Sequence, residues 1–528
     1  MENKRNNINI YNKKSLVILM FIVVFYIKNN IFSQNRVEQF INVGKYSNAV
    51  KEYDSLINTS YEKDVDKGEL YYKSAELLLK YLLKPDESIK RLETIILRYP
   101  DSKYAERAWF LLSEAWIAKK DKNKAIEVLK KYIKSFNKKS INLEIKAFFE
   151  IANLMYSINN YKESLFWLKK ITGLTNNQFF LKESLYMEAE IIWNIFKDRE
   201  YSYNSILRYL SLTNLTYEER VKGKILLNRI RWQYIGRKEG LKDDCVSAIA
   251  FDKDDIWFGL WMGGIARYTR SRENIYIFTT QDGLISNYIR DIQIDENEIW
   301  VATFEGICRY DRAKAKWERF NQIPGVGSQR IKSVLVEPDT VWFATLGYGI
   351  YRLNRHTKIW DSFKNLALNI VKIRKSPYNG SIVFAALSSG VIILKPDGSF
   401  IKVFIPKTDV SDNYITVKDI DFYNEKILIA TYTSGIFLCN LDGDNIKLLW
   451  QPKSYISTIR VKNNKLFVGT LGDGLLIKDL ITGEEEKITV SDGLLSSSIL
   501  TIEFEKDYIW LGTVDNGVNI LYAPELLN

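Results

Sequence analysis

The sequence predicts an α + β multidomain chain, an α-solenoid of stacked helix pairs followed by a seven-bladed β-propeller. Three features carry that prediction. Helical periodicity, with apolar residues at i, i+3, i+4 and i+7, runs from residue 36 to 231 and is broken at regular intervals by short lysine-rich turns. Seven strand–turn–strand segments then recur every 39 to 45 residues. At 528 residues the chain is too long for one ordinary core, so two or three domains are expected.

Composition narrows the functional classes. An apolar fraction of 46% with 26% charged residues belongs to a folded protein rather than a disordered or multi-span membrane chain. Cys245, Cys308 and Cys439 lie far apart, without a CxxC pair or metal-ligand spacing, and read as core or strand thiols. The single histidine, His356, sits in the polar turn NRHTK. One histidine is a poor basis for a metal site or a Ser-His-Asp triad, so no catalytic residue, metal or cofactor is expected. The net charge of +11 comes from lysines interleaved with glutamates. That pattern suits a solvated helical face, and without a basic stripe or known motif no nucleic-acid partner is expected.

Residues 1–33 read as an export signal. Lys4, Arg5, Lys13 and Lys14 precede the unbroken apolar run LVILMFIVVFYI (16–27), which is too short to span a bilayer as a helix. Cleavage is expected after Ser33, leaving no stable membrane span; the alternative is an uncleaved N-terminal anchor. Either way the folded part is expected in the periplasm or cell envelope.

Residues 34–230 form the helical domain. Five segments align, beginning at Gly44, Lys84, Lys120, Asn159 and Arg199, and each opens a second helix on a small residue: Ala49, Ser88, Ala125, Ser164 and Ser205. A small side chain there lets paired helices approach closely, while first helices such as AERAWFLLSEAWIA (105–118) supply the bulk. The stretch resembles tetratricopeptide repeats. The phrase RYPDSKYAERAWFLLSEAW (98–116) is similar to those of envelope-assembly and Tol-Pal-associated proteins, which implies a concave face for an extended peptide. Trp109, Trp116 and Tyr156 are the candidate partner-binding aromatics of this array, with inter-helix packing as the alternative.

Residues 231–528 form the propeller. The seven segments run from DIWFGLWMGGIARYT (255–269) to YIWLGTVDNGVNILY (508–522). Each places a small residue on its first strand (Gly259, Ala302, Ala344, Ala385, Ala430, Gly469, Gly512) and a glycine after the following turn. With four strands a–d per blade, the small residue is expected where strand b nears the central channel. The last blade lacks an outer strand at the C-terminus, and residues 231–236 are expected to supply it, sealing both sheet edges. The IWFG, IWVAT and IWLGT segments, with their joining DGL turns, resemble two-component-regulator propeller repeats of bacterial sensor ectodomains. That resemblance implies a ligand- or protein-binding platform. The β-sandwich, membrane helix and kinase or regulator module that follow the propeller in that family do not follow it here, so a complete sensor is not expected.

In a propeller the b–c turns and d–a connections share one face. The candidate binding residues on it are Trp261, Met262, Asn287, Phe304, Glu305, Tyr348, Tyr432, Asp473 and Asp515, aromatics beside carboxylates that would suit a sugar or peptide. Ordinary turn chemistry is the alternative. The expected function is a non-enzymatic envelope scaffold joining other envelope proteins or peptides. The alternative is a sensor of a small polar ligand acting through a separate partner.

Overall fold

A residue in the left-handed region closes each long helical turn. Gly44, Leu83, Lys120, Asn159 and Lys197 all have positive φ, which ends one helix and starts the next. The second helices that follow are Tyr46–Thr59, Pro85–Arg98, Lys122–Ser135, Tyr161–Leu174 and Arg199–Leu210. In each, the fourth residue is small and fully buried: Ala49, Ser88, Ala125, Ser164 and Ser202. Ser88, Ser164 and Ser202 donate their hydroxyls to Ala75 O, Ala152 O and Ala189 O on the preceding helix, at 2.7 to 2.9 Å. The expected Ser205 is therefore corrected to Ser202. Ser205 is also buried, but it lies almost one turn further on and does not make this bond.

The structure, a computed structural model, describes residues 35–59, 66–135, 140–174, 178–320, 323, 330–388, 390–406 and 415–527. The expected export signal, residues 1–33, lies outside them. Two compact units divide the chain, one ending at Leu226 and the other beginning at Leu227.

The second unit is a ring of seven four-stranded antiparallel sheets. In blade 1 the strands are Val246–Asp252 (a), Asp255–Leu260 (b), Ile265–Thr269 (c) and Asn274–Phe278 (d). Blade 7 takes a, b and c from Ile499–Glu505, Tyr508–Thr513 and Val518–Tyr522. Its d strand is Trp232–Ile235, from the start of the unit, with Trp232 opposite Leu521 and Tyr234 opposite Asn519. The Trp232 indole donates to Asp492 O (2.7 Å) and the Tyr234 hydroxyl to Gly493 O (2.6 Å), so this strand is also anchored on the neighbouring connection.

Apolar side chains of strands b and c meet those of the next blade, giving one core at each junction between blades. The small residue of strand b belongs to these junctions, not to the channel as expected. A Cβ on Gly259 would stand 2.7 Å from Ile289 Cγ2, and one on Gly512 would stand 2.7 Å from Val246 O. Ile289 and Val246 open the a strands of the next blades, and the equivalent first residue is β-branched and buried in every blade. Strand b therefore carries a small residue because a neighbour's branched side chain occupies the space. The glycine after each b–c turn has positive φ throughout; at Gly517 a Cβ would fall 2.2 Å from Ile235 O.

The DGL connections are structural. Asp282 accepts from the Thr279 N–H and hydroxyl at 2.8 and 3.0 Å, and Asp492 does the same for Thr489. Gly283 and Gly493 then turn the chain at positive φ, and Leu284 and Leu494 drop into the junction cores. Cys308 serves the same connections. Its sulfur accepts the Ile285 N–H at 3.0 Å, the place that Asn519 Oδ1 takes for Leu495 in blade 7. Burial pushes the Cys308 thiol up to about 11 and the Cys439 thiol up to about 12, as suits packing thiols.

Candidate ligand and partner face of the propeller

Strand a lines the channel, and in every blade it carries the same irregularity. Its pairing with strand b slips between the first and third residues. This bulge turns the second residue away from the ordinary alternation and toward the channel mouth. The seven residues so displaced are Ser247, Arg290, Lys332, Val371, Lys418, Ser457 and Leu500, and all seven line one cavity of about 420 Å3.

A collar surrounds this ring. The residue after each strand b donates its N–H to the residue before strand a, as Trp261 does to Cys245 O and Phe304 to Tyr288 O. Its seven members, Trp261, Phe304, Leu346, Leu387, Tyr432, Leu471 and Val514, are all apolar or aromatic. The Arg290 guanidinium lies 3.8 Å from the Trp261 ring centre, and Lys418 Nζ lies 4.4 Å from that of Tyr432.

Deeper in the channel the charges pair across blades. Asp291 accepts from Ser333 Oγ at 2.6 Å and faces Lys372 at 3.3 Å. Asp419 accepts from Thr458 Oγ1 at 2.8 Å and from Arg460 at 3.2 Å, and Arg460 also reaches Glu503 at 2.6 Å. Burial pushes the Asp421 carboxyl up to about 6 and the Glu503 carboxyl up to about 7. Charge at the mouth is different: Lys332 is lowered to about 8 by burial and by the nearby Arg290, Lys418 and Lys372.

The sequence-derived candidates separate on this frame. Trp261, Phe304 and Tyr432 belong to the collar, and Trp261 also lines the cavity. Met262, Glu305 and Asp515 stand one position further out in their turns and are exposed. Tyr348 packs against the junction core of blades 2 and 3. Asp473 pairs with Lys487 at 2.8 Å beside Tyr455, in a shallow hollow of blades 5 and 6. Asn287 braces the loop. Its side chain accepts from the Thr280 N–H (2.9 Å) and its carbonyl from the Gly264 N–H (3.0 Å), so its polar groups face the backbone. Glu305, Asp473 and Asp515 stand on three different blades, and no two of them line the same described cavity. His356 lies in a c–d turn on the opposite face, 2.9 Å from Asp339. Among the described residues no group of three or more His, Cys, Asp or Glu is placed to hold a metal ion.

Sequence reasoning missed Arg290, Lys332 and Lys418. Strict alternation sends each of them along the wall of strand a, and only the bulge brings them to the mouth.

In the helical unit, Trp109 is buried at 8% exposure against Tyr132. It fills the space between helices, which corrects its expected place on a binding face. Trp116 is half-buried, with Lys124 Nζ 4.3 Å from its ring centre. Tyr156 is exposed and meets the edge of Tyr161 at 5.5 Å.

No helix among the described residues is long and apolar enough to cross a membrane. Residues 69–102 and 107–137 match the tetratricopeptide repeat family model. Among curated proteins, none matches the sequence. Solved structures similar to the chain include the extracellular domains of two hybrid two-component systems from B. thetaiotaomicron. Each is 20% identical with a TM-score of 0.46 and covers 55% of this chain. The chain spans 39% and 41% of their lengths, about two fifths in each case. YCF48 from Cyanidioschyzon merolae is 14% identical, covers 56% of this chain and 99% of its own length, and has a TM-score of 0.44. The repeat match and the closed ring of sheets together make this a chain of tetratricopeptide repeats followed by a seven-bladed β-propeller.

Proposed function

We propose that the chain is an exported, non-enzymatic scaffold of the periplasm or cell envelope, binding protein partners through its helical repeats and through the channel-mouth face of its propeller. The observation that carries this reading is the distribution of exposed apolar side chains. Met262, Leu368, Phe404, Tyr455, Leu495 and Val514 are all exposed, and all lie in or beside the b–c turns and d–a connections of one face. Ile359, Tyr378 and Ile481 are exposed on the opposite face, so the larger share of the exposed apolar turn residues among the described ones lies at the channel mouth, which favours a protein surface as their cover. The positive, apolar N-terminus supports export, and scattered carboxylates without a histidine nearby support a binding rather than a catalytic role.

The test is capture from envelope extracts with three forms of the full chain. Met262→Asp with Tyr455→Asp should release a partner held by the natural protein. Ile359→Asp with Ile481→Asp, in the c–d turns of the opposite face, should retain it. Equal loss from both variants, or no partner for the natural chain, rejects the reading.

A further inference from the structure

The channel mouth holds positive charge with no carboxylate in ion-pair reach among the described residues. Arg290, Lys332 and Lys418 come from blades 2, 3 and 5, yet they line one cavity. All three are half-buried. Among the described residues none of them has a carboxylate in ion-pair reach, whereas Lys372 and Arg460 just below are paired with Asp291 and Asp419. Charges gathered in a concavity with low-dielectric walls raise one another's energy, and an anion entering the cavity would relieve that cost.

The geometry fits a ligand. The Trp261 and Tyr432 rings lie against the heads of Arg290 and Lys418, which orients the cations along the wall. The paired charges Lys372, Asp419 and Arg460 line the deeper part of the same cavity. A volume of about 420 Å3 matches a compact small molecule.

We propose that the mouth of the propeller channel is a binding site for a small organic polyanion carrying two or three carboxylate or phosphate groups, held by Arg290, Lys332 and Lys418. Guanidinium and ammonium donors suit both acid types, the former bidentately. The site goes beyond the scaffold reading and does not depend on it, since it requires no protein partner.

The experiment is calorimetric titration of the full chain in low-salt buffer at neutral pH with citrate, tripolyphosphate, sucrose and a hexaglutamate peptide. Citrate, tripolyphosphate or both should bind, and sucrose should not. Citrate alone would make the ligand a carboxylate, and tripolyphosphate alone a phosphate. Lys332→Met and Arg290→Met should each weaken binding by about tenfold, the loss of one charge-assisted contact. Lys375→Met, outside the cavity and paired with Glu337, should leave binding unchanged. Thermal unfolding of each variant without ligand verifies that it folds. Absence of binding to both polyanions overturns the proposal, as does an affinity unchanged from that of the natural chain in Lys332→Met and Arg290→Met. Binding of hexaglutamate alone also overturns it, assigning the charge to an acidic protein segment instead.

Discussion

Lys332 shows how a single side chain can be held against its own stability. Burial, with Arg290, Lys418 and Lys372 nearby, lowers its ammonium from 10.5 to about 8. Below about 8 both folded and unfolded chains carry the proton, and the folded chain carries it at a cost. Between about 8 and 10.5 the unfolded chain binds a proton that the folded chain has lost, so stability rises with pH across that window. Replacing the ammonium with an apolar chain of similar length removes the penalty. Lys332→Met is expected to stabilise the propeller at neutral pH by about 1–3 kcal/mol, with the gain fading as pH climbs past about 8. Scanning calorimetry at several pH values would show it, and a lower melting temperature for the variant at neutral pH would contradict it. The residue type was visible in the sequence as IKSV, but its surroundings were not. Its three cationic neighbours lie at positions 290, 372 and 418, and only ring closure brings them to Lys332.

At the scale of the element, periodicity was a dependable guide wherever one residue type met one physical need. The left-handed turn residue and the small fourth residue recur together through five helix pairs because each second helix must start close to its predecessor. The fifth repeat misled because YSYNS offers two serines, and only the helix start distinguishes Ser202 from Ser205. In the propeller the small residue of strand b was found correctly, but its cause lies in the next blade. That cause predicts a graded response. Gly512→Ala would drive a methyl against Thr501 Cγ2 at 2.6 Å and Val246 O at 2.7 Å, and backbone yields little. It is expected to destabilise the propeller by about 1–3 kcal/mol. Ala302→Gly should cost only about 1 kcal/mol, mostly by loosening the unfolded chain. Urea unfolding of both variants compares them, and an unaffected Gly512→Ala protein would show that the junction has room.

At the scale of the whole propeller, closure links residues almost three hundred positions apart. Trp232 is buried in the core of blades 6 and 7, and its indole bonds the Asp492 carbonyl. Trp232→Ala is expected to cost about 3–5 kcal/mol and to free the edge of strand Val518–Tyr522. Hydrogen exchange in the full chain should then speed up at those amides well before blades 3 and 4 respond. Uniform exchange across all blades would mean that the ring opens elsewhere. The repeat match over residues 69–137 and the sevenfold spacing made both architectures legible, since each repeat must satisfy the same packing need as its neighbours.

The sequence by itself determined the two architectures, the number of blades and the apolar or aromatic character of collar residues such as Trp261, Phe304 and Tyr432. Those follow from local patterns that every repeat restates. The positively charged mouth was decided only by the tertiary structure. A one-residue slip in strand a redirects the second side chain, and a closed ring then brings together cations that no sequence window contains. Convergence of that kind depends on distance in space, which periodicity along a chain does not record.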